Sequence, residues 1–85
     1  MAAIPELAVQ AREKIVHYLQ GCKFRCYPQP YRTLIVCPEA ETCVAVSWGG
    51  EEVTVHVQKL AHADRTWALR SEVDLIPLAW RVFFG

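Results

Sequence analysis

Residues 44 to 57, VAVSWGGEEVTVHV, are two alternating runs that meet at a Gly-Gly pair. An apolar residue at every second place marks a strand with one buried face. A two-residue primed turn needs the positive φ that glycine supplies freely. A hairpin turning on Gly49-Gly50 places Trp48 opposite Glu51, Val46 opposite Val53 and Val44 opposite Val55. Valines then face valines, so the pairing is self-consistent. The same register sets Cys43 directly across from His56 on the second face, which also carries Ala45, Ser47, Glu52, Thr54 and Gln58. A four-residue turn at Pro38-Glu39-Ala40-Glu41 adds Leu34 and Val36 to that face, which is therefore mixed rather than plainly solvated.

A helix precedes the ribbon. Ile4, Leu7, Ala8, Ala11, Ile15, Tyr18, Leu19 and Cys22 recur at spacings of three and four, one apolar stripe of a 3.6-residue helix. Pro5 suits its first turn and Gly21 a left-handed cap at its end. This helix is expected to cover the face made by Val44, Val46, Val53 and Val55. Short β-branched or aromatic runs, KFRCY, RTLIVC, TCVAVSW and EEVTVHVQKL, then predict a four-stranded antiparallel meander. AHADRTWALRS fits either a short helix capped by Asp64 or another strand. In DLIPLAWRVFFG, the residues Leu75, Leu78, Ala79, Val82 and Phe83 fit a helix capped by Asp74 with Pro77 in its first turn. The alternation of Leu78, Trp80, Val82 and Phe84 fits a strand. The fold class expected is α+β: an N-terminal helix packed on a four-stranded meander, with a C-terminal helix or extra strand, in one domain spanning 1–85.

The totals bound what such a domain does. At 85 residues the chain buries about 60–65% of its unfolded surface, yet 53% of its residues are apolar. Apolar surface beyond what a small core absorbs points to burial against a second copy or a partner. Nine basic residues balance nine acidic ones, which leaves no net field for nucleic acid or anionic lipid. Charges from the sixth residue onward argue against a secretory signal, and no apolar run reaches the ~18–20 residues of a membrane span. The expectation is a soluble, cytoplasmic chain with reduced thiols.

Three constellations carry chemistry. Cys22 and Cys26 are spaced C-x3-C and Cys37 and Cys43 C-x5-C, which match zinc knuckles poorly; the ordinary role for such thiols is that of small buried apolar groups. Cys43 beside His56, with Cys26 or Cys37 assisting, is the arrangement of a thiolate nucleophile or half a metal site. No orienting third group or oxyanion loop accompanies it, so no catalytic residue, metal or cofactor is expected. KFRCYPQPYR interleaves Lys23, Arg25 and Arg32 with Phe24, Tyr27 and Tyr31. Tyrosines on a proline-stiffened loop can stack bases while the cations meet phosphate. The α-β-β-β-α order is similar to that of double-stranded RNA-binding modules in element order alone; their lysine-rich start to the last helix has no counterpart here. The same loop equally suits recognition of a protein, since Tyr and Arg are enriched at protein interfaces.

The function expected is therefore a non-enzymatic interaction module of adaptor, chaperone or inhibitor type, acting as a homodimer that binds a protein partner. Trp80, Phe83 and Phe84 are the residues expected at the dimer contact, with Arg25, Tyr27, Tyr31 and Arg32 toward the partner. Nucleic-acid binding through Lys23–Arg32 is the alternative, and a Cys/His metal or thiol protein the second.

Overall fold

The computed structural model describes residues 4–49 and 52–84. Helix α1 spans Glu6–Tyr18. Five strands follow, β1 Arg25–Gln29, β2 Arg32–Cys37, β3 Thr42–Gly49, β4 Glu52–Lys59 and β5 Arg65–Leu69. A 3₁₀ turn at Glu72–Leu75 leads into helix α2, Leu78–Phe83. The strands form one open antiparallel sheet in sequence order. The fold is thus α+β, with five strands rather than four, because Arg65–Leu69 pairs with β4 as a further strand. That fifth strand also departs from the element order of the double-stranded RNA-binding modules.

Each helix forms where its sequence allows. Pro5 stands just before α1, where its missing N–H costs nothing, and its carbonyl accepts the N–H groups of Ala8 and Val9. Gly21, at φ 93, turns the chain away just past the helix end. The C-terminal segment is helical because Asp74 stabilises its start. The carboxylate accepts the Arg70 N–H at 2.7 Å and the Ser71 N–H at 3.3 Å. Asp74 therefore secures the entry to the 3₁₀ turn from its third position, Ser71 being the cap, and Pro77 is the cap residue before α2 and not part of its first turn.

Both helices cover the same side of the sheet. Ala8, Ala11, Ile15 and Leu19 of α1, with Leu75, Leu78 and Val82 from the C-terminal segment, close over Ile35, Val44, Val46, Val53, Val55, Val57 and Leu69. Burial of that apolar surface, at about 25 cal/mol per Å², is the main stabilising term. α1 thus covers the valine face as the alternation predicts, and Leu78 and Val82 of α2 complete the same core cluster. The opposite face of the sheet has no element packed across it among the described residues.

The hairpin register differs from the expected one. Trp48 pairs with Val53, Val46 with Val55 and Val44 with Val57, so Gly49 lies within the ladder opposite Glu52. Gly50 and Glu51, on which the expected turn and the Trp48–Glu51 pair rest, lie outside the described residues. The shift is two residues, which keeps every side chain on its face while changing its partner. Cys43 accordingly pairs with Gln58, and His56 with Ala45. The Cys43–His56 opposition is therefore corrected: the two share a face without standing across from each other.

Candidate interaction surfaces

The C-terminal segment has two contrasting sides. Leu75, Leu78 and Val82 point into the core, and all three are buried. Val73, Ile76, Trp80 and Phe84, spaced three, four and four, are exposed at 69%, 77%, 63% and 61%. Trp80 and Phe84 are one α-helical turn apart on the outer side of α2, and Val73 and Ile76 are exposed on the 3₁₀ turn and the step from it into α2, so the four form an outward row along this segment. Tyr18 of α1 borders the row, meeting the Phe84 ring edge-on with centroids 5.8 Å apart. Of the residues expected at the dimer contact, Trp80 and Phe84 stand in this row and Phe83 does not. Phe83 is half-buried against the core and stacks on Tyr18 at 4.5 Å. Val73 and Ile76 were not singled out from the sequence; their three-four spacing to Trp80 and Phe84 was the available signal.

Two cations fix the end of this segment. Lys59 Nζ donates to the Phe83 carbonyl at 2.6 Å and an Arg65 guanidinium N–H to the Val82 carbonyl at 3.2 Å. These carbonyls have no partner within the helix, so the two side chains satisfy orphaned acceptors and set positive charge at the helix's negative end. Both come from the β4–β5 hairpin, which ties α2 to that end of the sheet.

The basic-aromatic segment divides between turn and strand. Arg25, Tyr27 and Gln29 alternate on the open face of β1, and Arg32 stands beside Gln29 on β2, donating to its side-chain oxygen at 2.6 Å. Cys26 and Pro28 alternate onto the other side. Tyr31 occupies the tight turn between the two strands at φ 63, with its side chain exposed. The structure thus places Arg25, Tyr27 and Arg32 along one edge of the open face, with Arg25 and Arg32 at opposite ends of the β1–β2 ladder, and leaves Tyr31 at the turn.

The thiols do not converge. Cys22 and Cys26 are exposed, Cys37 is buried on the helix side and Cys43 is half-buried on the open face. Among the described residues no group of three or more His, Cys, Asp or Glu side chains stands close enough to hold a metal ion. His56 instead meets Asp64, Nε2 to Oδ2 at 3.3 Å, and Gln58 donates to the same oxygen at 3.3 Å. No helix among the described residues is long and apolar enough to cross a membrane.

Comparison with protein-family models, curated proteins and solved structures finds no match to this chain.

Proposed function

We propose that the chain is a small non-enzymatic protein-interaction module that acts as a homodimer and offers the Val73, Ile76, Trp80, Phe84 row to an amphipathic helix of a partner protein. The observation that carries this reading is the row itself: four large apolar side chains held outward on a segment whose inner side is fully packed. An aromatic side chain carries ~150–250 Å² of surface, so Trp80 and Phe84 alone leave roughly 250 Å² in water. With Ile76 and Val73 the row falls within the ~300–600 Å² of a functional patch. Anchors at three-four spacing match the spacing of a partner helix laid alongside. Tryptophan is also the side chain most often found at the energetic centre of an interface.

The test is a photo-cross-linking scan in cells, with a benzophenone amino acid placed at position 76, 80 or 84, or at the exposed helix positions 13 and 14. The reading expects one protein adduct from the three row positions and none from Glu13 or Lys14. Equal labelling from both sets, or none from the row, contradicts it.

A second reading draws on Arg25, Tyr27 and Arg32 sharing the open face: single-stranded nucleic acid stacked on Tyr27. It expects an oligonucleotide affinity that falls steeply with salt. The balanced charge and the engagement of Arg32 by Gln29 weigh against it.

A further inference from the structure

The two edges of the sheet are built differently, and the difference follows from the hydrogen-bond phase. The Trp48 N–H donates to the Tyr31 carbonyl at 2.9 Å and the Leu60 N–H to the Glu41 carbonyl at 3.1 Å. In an antiparallel ladder those two bonds fix which residues of every strand bond to which neighbour. On β1 they direct Arg25, Tyr27 and Gln29 toward β2, so Cys26 and Pro28 turn their main chains to the outer edge. Proline has no N–H to offer, and this edge is blunted. On β5 they direct Arg65, Trp67 and Leu69 toward β4, so Thr66 and Ala68 turn outward. Both are exposed, and neither main-chain N–H nor carbonyl has a partner among the described residues. The edge ends at Arg70, whose N–H is already taken by Asp74.

We infer that the β5 edge receives a second copy of this chain, β5 against β5 in antiparallel register about a two-fold axis at Trp67. The inference rests on the homodimeric reading above and supplies its interface. In this register Thr66 pairs with Ala68 of the second copy and Ala68 with its Thr66, so all four outward groups on each strand find partners. The two Trp67 side chains face each other at the narrow pair, each already held by its own Arg65, whose Cζ lies 5.9 Å from the ring. Asp64 of each copy falls opposite Arg70 of the other, two opposite-charge pairs on the open face. Both residues are exposed there: Asp64 beside His56, and Arg70 lining an open depression with Glu52 and Ala68. Among the two-fold registers, the neighbours centred on Thr66 or Ala68 do not oppose Asp64 to Arg70. The result is a continuous ten-stranded sheet with both helical layers on one side. The exposed row of the C-terminal segment remains available to a partner.

A contact made through one strand edge belongs to the small, weak end of specific interfaces, with a dissociation constant on the order of micromolar or weaker. The experiment is sedimentation equilibrium of the whole chain up to roughly 1 mM, the range that such an affinity requires, with amide exchange at Thr66 and Ala68 followed by NMR. The inference expects a dimer, and exchange at these two amides that slows as concentration rises. It expects Asp64→Arg and Arg70→Asp each to weaken the dimer about tenfold and the double reversal to restore it. Ala68→Pro, at a position whose N–H does not bond to β4, should leave a folded monomer. A monomer at every concentration overturns the inference. So does a dimer indifferent to all these changes. An indifferent dimer removes this interface and leaves the homodimer, a monomer removes both, and neither result bears on the cross-links from the exposed row, so the failures are distinguishable.

Discussion

Tyr31 and Asp74 show how single residues shape this chain. Tyr31 holds φ 63 between Pro30 and Arg32, a left-handed conformation that costs a non-glycine residue about 1–2 kcal/mol. Its ring is exposed and recovers little of that cost by packing. Tyr31→Gly should therefore raise stability by about 0.5–1 kcal/mol, net of glycine's added unfolded-state entropy. Chemical denaturation checks it, and a loss of stability would mean that the ring packs more than its exposure implies. Asp74 is a second case. The Arg70 N–H holds its carboxyl below the ordinary value of 3.8; partial burial opposes this, while the Ser71 N–H and the charges of Arg81 and Arg70 reinforce it. A carboxylate whose folded pKa is depressed stabilises the fold above its unfolded value, and that contribution is lost as pH falls through the folded one. Thermal unfolding should show Asp74→Asn less stable than the native chain at neutral pH, with the gap closing below about pH 4. An equal gap at all pH values would contradict this role.

Elements reveal which sequence signals are strong. The valine alternation and the middle of the α1 stripe, Ala8, Ala11, Ile15 and Leu19, specified their structures because each has one period and one buried face, whereas Ile4, Tyr18 and Cys22 at the ends of the expected stripe are exposed. The hairpin partners were not legible, since a pattern of period two is unchanged by a slip of two residues. Gly49 is paired with Glu52, and with that the Cys43–His56 opposition dissolves. Arg65–Leu69 is five residues long, too short for periodicity to separate strand from helix; its pairing with β4 decides. In the C-terminal segment the sequence identified Trp80 and Phe84 but assigned Phe83 to the surface with them. The structure separates these roles. Phe83→Ala should cost about 2–3 kcal/mol, less than a fully buried phenylalanine, because half of its ring packs on Tyr18 and the core. Trp80→Ser should change stability by no more than about 0.5 kcal/mol, since its ring lies in water. Similar losses for both would mean that the outward row is part of the fold rather than a surface kept for a partner.

At the scale of the whole molecule, a small core leaves apolar and main-chain groups that it cannot satisfy by itself. Two such places are the outward row of the C-terminal segment and the β5 edge, while Pro28 blunts the other edge. The apolar excess that hinted at association was legible in composition, but its location was not. Locating it required knowing that α2 turns Leu78 and Val82 inward and that the ladder turns Thr66 and Ala68 outward. The edge is fitted to a second copy and the row to a partner. The most direct test is sedimentation equilibrium of the native chain beside the Trp80→Asp/Phe84→Asp variant. Dimers with the same dissociation constant are expected in both. A native monomer, or a dimer lost only in the variant, would contradict this.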